Sequence, residues 1–308
     1  MSSRVLVIGA GMAGLSAAKA LLAAGDQPIV VDKSRGVGGP LATRRTPFGA
    51  FNHGAPTVSA ISDPFKSFLT DADTAQWNGF GEAEGVPTMS ALAKPLMGRI
   101  PLHFEFGVAN LEVSGNFVKV TFSDGTTDGF DQAVLALPVP QAIQILSAEG
   151  VLASWAHALL DVKMAPCWAG LLAFDSSLPV LSLPTGVHLQ KNGTVQSGTP
   201  SERWVFHADT NWSQENLERD KGEILADLSQ LFFEMMQIDW REPVFSQAHK
   251  WRYARVRSSL NLPFLQSPDG RISVVGDAFA GSGGLYRDAE AAFHSGQSVA
   301  QVPARIFN

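Results

Sequence analysis

The chain has 308 residues, of which 45% are hydrophobic and 17% charged, a balance ordinary for a soluble globular protein built as one large domain or two interleaved ones. Its net charge of -6 and the absence of any Lys/Arg-rich run argue against nucleic acid and against an anionic membrane surface as partners. A single cysteine, Cys167, excludes an internal disulfide framework and a Cys-x-x-Cys redox pair, so electron transfer requires a bound cofactor.

No stretch approaches the ~20 uninterrupted apolar residues of a membrane-spanning helix. The chain passes from Met1 and Arg4 directly into an apolar run without a leader-like segment, and the expected location is the cytosol. RVLVI (4–8) predicts a short buried strand ending at Gly9. An alanine- and leucine-rich helix follows through Ala24, with Gly25 as its C-terminal cap, and then a second buried strand, QPIVVD (27–32). Strand, glycine turn, helix and strand within about thirty residues form the opening βαβ unit of a nucleotide-binding sheet.

Within it, Gly9, Gly11 and Gly14 have the dinucleotide spacing. The first glycine permits the turn, the second admits a pyrophosphate to the backbone, and the third lets helix and strand pack closely. Asp32 ends the second strand, where a carboxylate can accept hydrogen bonds from an adenosine ribose.

From Leu102 to Leu137 alternating apolar residues broken by SGN and SDGTTDG predict an antiparallel meander, and DQAVLALP (131–138) a strand returning to the main sheet. The middle, roughly 150 to 260, mixes apolar strands (AGLLAF, WVFHA) with one predicted helix, SQENLERDKGEILADLSQLFFEMM. Six of the seven tryptophans fall there, which marks either a large apolar pocket wall or a thick core. Trp204, Trp212, Trp251 and Tyr253 are candidates for an aromatic wall against a planar substrate, although core packing explains each equally well. His207 and His249 either face a substrate or are satisfied within the core. Arg252, Arg255 and Arg257 either hold a substrate phosphate or form a solvated face. Cys167, inside APCWAGLLAF, reads as a small core residue rather than a covalent flavin attachment.

The last segment returns to strand, glycine-rich turn and helix. NAD and FAD share the first fingerprint, and two features favour FAD. KSRGVGGPLATRR after Asp32 supplies glycines and arginines along which a diphosphate and an isoalloxazine can run. VVGDAFAGSGG puts Asp277 after a buried strand, where it can bind a ribityl hydroxyl, and a following helix N-terminus can stabilise negative charge on reduced flavin. No second Gly-x-Gly-x-x-Gly occurs mid-chain, so a nicotinamide here enters the flavin pocket as substrate.

These motifs resemble the renalase family, a branch of the flavin amine oxidase-like superfamily. The similarity runs nearly end to end: VIGAGMAGLSAA, VVDKSRGVGG, LATRR, FNHGA, VPTMSALAK, APCWAGLLAF, RWVFHADTNWSQENLE, HKWRYAR, and VVGDAFAG with AEAAFHSG. The resemblance implies an α/β architecture, a Rossmann-like FAD-binding domain with a p-hydroxybenzoate hydroxylase-like mixed-sheet substrate domain. The first is expected over 1–60, 100–145 and 262–308, and the second over 61–99 and 146–261. It implies non-covalent FAD and oxidation of misreduced nicotinamides, the 2- and 6-dihydro isomers of NAD(P), with O2 reoxidising the flavin to H2O2.

By the same resemblance, Gly9, Gly11, Ala13, Gly14, Asp32, Lys33, Arg35, Gly39, Arg44, Val108, Gly276, Asp277 and Ala289 contact FAD. His207, Trp251, Tyr253 and Thr57 are the residues expected at the reaction, and no metal site is expected. The chain departs from the family at Pro40 (usually Arg), Pro56-Thr57 (usually Gln-Tyr) and Thr88 (usually Gly), with Leu285 to Asp288 inserted. These changes cluster where flavin and substrate meet. They leave two other readings open: a flavin amine oxidase or specialised biosynthetic oxidase with an altered pocket, and a non-catalytic flavin-binding protein. No oligomeric state is implied.

Overall fold

A computed structural model describes residues 2–78, 81–148, 150–179, 188–191, 202–279 and 288–301. Strand β1 (Arg4–Ile8), helix α1 (Met12–Ala23) and strand β2 (Gln27–Asp32) form the expected opening unit. The apolar run of β1 is buried because β1 is central, paired in parallel with β2 on one side and with Gln132–Leu135 on the other. Gly25, at φ 94°, closes α1 with paired bonds from its own N–H to Leu22 and from Asp26 to Leu21, which only a left-handed residue allows.

The six-stranded sheet runs in the order Leu265–Gln266, Ile272–Val274, Gln132–Leu135, β1, β2, Leu102–Phe104. All pairings are parallel except that of the Leu265–Gln266 edge. This corrects the expected meander at its start. Leu102–Phe104 is a parallel edge strand beside β2, and the antiparallel three-stranded sheet comprises only Val108–Ser114, Phe117–Phe122 and Thr127–Phe130. Three residues are too few to show a period of their own.

A hairpin, β3 (Thr43–Thr46) and β4 (Gly49–Asn52), leads away from the nucleotide loop toward a second sheet. That sheet has four strands in the order His188–Lys191, β6 (Glu202–His207), β5 (Lys163–Phe174), β7 (Phe245–Ser258), all antiparallel, with β5 preceding β6 in the chain. Alternation gives it two faces. Trp168, Leu172, Phe174, Trp204 and Phe206 pack against helix α2 (Lys221–Met236) through Ile224, Leu228 and Phe232. Ala169, Leu171, Ala173 and Val205 face the other way and are covered by Phe48 and Phe51 of the hairpin.

The single long helix expected over 213–236 is two. Thr210–Glu215 is capped by the Asp209 carboxylate and α2 by Asp220, with the polar residues between them forming a turn. Finally, helix α3 (Asp288–Ser298) lies along α1 and brings the two ends of the chain together. Among the described residues no helix is long and apolar enough to cross a membrane.

Candidate cofactor and substrate site

The three fingerprint glycines have different physical reasons. A Cβ on Gly9, at φ 114°, would sit 2.3 Å from the Ala136 carbonyl oxygen, and one on Gly14 would sit 1.9 Å from the Gly9 carbonyl oxygen. Both are demanded by the protein itself. Gly11 is not: it has an ordinary φ of -81° and its nearest neighbour is the Gly39 Cα at 3.9 Å. The space above Gly11 is a cradle that a side chain would fill, and Gly38 and Gly39 of the next loop border it through the Gly11–Gly38 bridge.

Asp32 braces this loop, one oxygen accepting the Ala10 N–H at 2.6 Å and the other the Ser34 N–H at 2.7 Å. Each carboxylate oxygen keeps a lone pair for a hydroxyl. Lys33 and Arg35 are exposed, Lys33 Nζ donating to Gln141 Oε1 at 3.3 Å. Val108 is half-buried at the start of the meander. Ala13 is buried in α1 against α3.

Parallel strands bring the C-terminal segment to the same edge. The Val275 N–H donates to Leu135, the Ala136 N–H donates to Ile8, and Gly276 N–H donates to Ser295 Oγ at 3.1 Å. Gly9, Asp32, Ala136 and Gly276-Asp277 therefore all follow the carboxyl ends of adjacent strands, the edge where open α/β sheets bind ligands. Asp277 is half-buried, and burial, with Asp288 nearby, pushes its carboxyl up to about 6. Ala289 is half-buried in the first turn of α3. Of the inserted Leu285 to Asp288, only Asp288 lies within the described residues.

A second cluster forms where the hairpin meets the four-stranded sheet. The His53 carbonyl accepts two bonds, from Trp251 Nε1 at 2.8 Å and from His207 Nε2 at 3.1 Å. The His53 ring meets His249 edge-on at 4.5 Å between centroids and tilts over Trp251 at 5.2 Å. Burial, then His249, then Arg44 pull the His53 imidazole down to about 3, and burial, then Arg44 and Lys221, pull His249 down to about 4. Both rings are neutral at physiological pH, beside the permanent charge of Arg44.

This cluster is joined to the nucleotide loop through Gly54, where a Cβ would fall 1.8 Å from the Pro40 carbonyl oxygen, and the Ala55 N–H donates to that same oxygen at 2.8 Å. In sequence His53 is simply the histidine of FNHGA. Its partners stand 154 and 198 residues away, and a lone histidine after a strand carries no local signal for that.

The aromatic wall is smaller than expected. Trp204 lies on the α2 face of its sheet because its position alternates away from His207, and Trp212, in the helix Thr210–Glu215, packs against the same core. Tyr253 is half-buried in the bulged stretch beyond Trp251 and outside the ring cluster. Thr57 is half-buried before the short strand Val58–Ser59. Arg252 is exposed and ion-paired with Glu218 at 2.5 Å. Cys167 is buried on the sheet face, and burial pushes its thiol up to about 11, so it is protonated and inert.

A family model described as flavin-containing amine oxidoreductase matches residues 75–302, and one described as an NAD(P)-binding Rossmann-like domain matches residues 7–72. The chain belongs to the flavin-containing amine oxidoreductase family. It is an FAD-dependent oxidoreductase. Among solved structures it is similar to cyclohexylamine oxidase from Brevibacterium oxydans IH-35A, with a TM-score of 0.66, 14% identity and 98% of each chain covered. A redesigned putrescine oxidase gives a TM-score of 0.66 at 12% identity, again over 98% of each chain. At these identities the likeness is one of fold. The residues present fit the cofactor: the open cradle at Gly11, the spare lone pairs of Asp32 and the carboxylate of Asp277 lie along one sheet edge, as an extended dinucleotide requires.

Proposed function

We propose that this flavoenzyme is an oxidase of the renalase type, converting 2- and 6-dihydro isomers of NAD(P) to NAD(P)+, with O2 reduced to H2O2. The supporting observation is the charge of the cluster joined to the nucleotide loop. Two neutral imidazoles and an indole meet there under the electrostatic influence of the Arg44 guanidinium, and among the described residues no carboxylate is found in ring contact with them. An alkylammonium would meet the repulsion of the Arg44 charge here, whereas a neutral planar dihydropyridine gains stacking area on the rings without that repulsion.

In this reading FAD, when bound, supplies the two-electron acceptor. Gly9, Gly11, Ala13, Gly14 and Gly39 hold the diphosphate with help from α1, Asp32 holds the ribose, and Lys33, Arg35 and Val108 flank the adenosine. Arg44, Gly276, Asp277 and Ala289 hold the flavin end. Trp251 orients the substrate ring, His207 fixes the His53 peptide, and Tyr253 and Thr57 border the entrance. Hydride transfer needs orientation and exclusion of water more than a protein nucleophile, and these residues provide the first two. In this reading the cofactor is held non-covalently, and the buried, protonated Cys167 offers it no thiolate. Residues 1–60, 100–145 and 262–308 form the cofactor domain, with 61–99 and 146–261 as the substrate domain.

The family match supports a second reading, an amine oxidase on the same scaffold. Anaerobic mixing with 6-dihydroNAD, ordinary 4-dihydroNAD and a panel of primary amines, followed by flavin absorbance, separates the two. Rapid bleaching by 6-dihydroNAD supports the first reading; bleaching by amines alone replaces it with the second. Flavin that none of them bleaches indicates a non-catalytic flavin protein.

A further inference from the structure

Glu290, in the first turn of α3, is 1% exposed, and its carboxylate is filled by donors from one distant stretch of chain. Oε2 accepts the Ile61 N–H at 2.9 Å, and Oε1 accepts the Ser62 N–H and the Ser62 hydroxyl, both at 2.7 Å. The hydroxyl's single proton goes to the carboxylate, so it accepts from His294 Nε2, 2.8 Å away and one turn along α3. A buried carboxylate is costly unless donors replace its water, and charge-assisted bonds of this length hold both partners firmly.

The stretch so held starts at the nucleotide loop. Gly54 rests on the Pro40 carbonyl, which also accepts the Ala55 N–H. Val58 and Ser59 then pair with Ala83 and Glu82, and Ile61 and Ser62 end on Glu290. Residues 54–62 therefore form a strap, pinned at both ends, from the loop beside Gly39 to the helix whose first turn carries Ala289, and Thr57 lies within it. The same helix accepts the Gly276 N–H through Ser295 Oγ at 3.1 Å. One helix thus fixes the strap with Glu290 and the Gly276-Asp277 turn with Ser295.

We propose that Glu290 is a positioning residue: its carboxylate sets the strap 54–62 against the Gly276-Asp277 turn, and through them the contacts offered to the flavin. The inference goes beyond the substrate reading above, holding for a dihydronicotinamide or an amine, and rests only on the placement of the flavin end at Gly276, Asp277 and Ala289. Glutamine fits the space of Glu290 but turns an amide N–H2 toward N–H donors, so at least one of the three bonds is lost. Ser62→Ala removes one donor and keeps the charge, together with the cap that Ser62 gives the helix Asp63–Asp71. Ser62→Thr keeps the hydroxyl.

The test is an FAD titration of each apoprotein at a temperature where it is folded, with the visible circular dichroism of the bound flavin recorded at saturation. Glu290→Gln should weaken FAD binding by about tenfold and alter the flavin dichroism. Ser62→Ala should weaken it by about threefold with the same change of band shape, and Ser62→Thr should return both readings toward wild type. Leu228→Ala, which cuts into the α2 core, is the standard for lost stability alone: it should lower the melting midpoint and leave both flavin readings unchanged.

Wild-type FAD affinity and dichroism in Glu290→Gln, whatever its melting midpoint, would reduce the clamp to a contact of the fold and overturn the proposal. A loss of affinity in Leu228→Ala equal to that in Glu290→Gln would do the same. If Glu290→Gln does not fold, the Ser62 pair decides, since identical flavin readings in Ser62→Ala and Ser62→Thr refute it. Asp277→Asn in the same titration checks the placement of the flavin end. Unchanged readings there would move the flavin away from this edge and take the proposal with it, a failure distinct from one confined to Glu290.

Discussion

Gly296 of α3 lies so close to Ala13 of α1 that a Cβ placed on it would stand 2.2 Å from the Ala13 carbonyl oxygen and 2.9 Å from the Ala17 nitrogen. Residues almost three hundred positions apart are thereby locked backbone to backbone. The C-terminal helix follows the segment that carries Gly276 and Asp277, so this contact couples the second half of the cofactor edge to the first. Gly296→Ala is expected to force the helices apart, lowering stability by about 1–3 kcal/mol. It should also lower FAD retention, because Asp277 moves relative to the glycine loop. Thermal unfolding with and without added FAD measures both. An unchanged midpoint would show that the helices do not pack as described.

Gly11 and Gly14 separate cofactor binding from folding. Gly14→Ala drives a methyl into the Gly9 carbonyl, so the purified protein should be poorly folded. Gly11→Ala meets no protein atom closer than 3.9 Å and needs no unusual φ, so the apoprotein should keep its stability to within about 1 kcal/mol while FAD content falls sharply. Apoprotein melting and flavin-to-protein absorbance ratios distinguish the two. Full FAD occupancy in Gly11→Ala would move the diphosphate away from this loop.

Much of the cofactor half is written locally. The run RVLVI, the glycine spacing and Gly25 specify β1, α1 and its cap through contacts within thirty residues, and the strand before Gly276 is equally self-contained. What escaped the sequence is set by distant partners. Leu102–Phe104 takes its direction from β2 rather than from the meander it precedes. The break between Thr210–Glu215 and α2 depends on two aspartate caps among residues that also suit a helix surface. Trp204 and Trp251 look alike in sequence, and only strand pairing sends one into the α2 core and the other to His53.

The titrating groups of the site give opposing pH dependences. His53 and His249 have folded values of about 3 and 4, below the ordinary 6.5, so the unfolded chain binds more protons between those limits. Their contribution is present above pH 6.5 and is lost as pH falls toward 4. Asp277, raised to about 6 from 3.8, contributes stability below pH 3.8 that is lost as pH rises through 6. Unfolding of the apoprotein from pH 4 to 7 in His53→Gln/His249→Gln should therefore lose part of the acid sensitivity. Asp277→Asn should steepen it, since the opposing component is gone, and should reduce FAD retention. Identical pH profiles in all three proteins would contradict these environments.

Arg203 gives the hairpin its own test. It is 5% exposed, its Nε has no partner among the described residues, and its Nη1 donates to the Phe48 carbonyl at 3.2 Å. Burial lowers its pKa from the usual arginine value. Gly49 leaves it room: at φ 105° it has no side chain, and a Cβ there would lie 2.6 Å from Nη1. Gly49→Ala should therefore destabilise the protein twice over, by the left-handed backbone and by collision with the guanidinium. In an Arg203→Ala background only the backbone component remains, so the two substitutions should be non-additive by about 1 kcal/mol or more. A denaturant double-mutant cycle measures that coupling. Strict additivity would mean that the turn at 46–49 does not rest on Arg203, and that the cover over this sheet face is held by Phe48 and Phe51 alone.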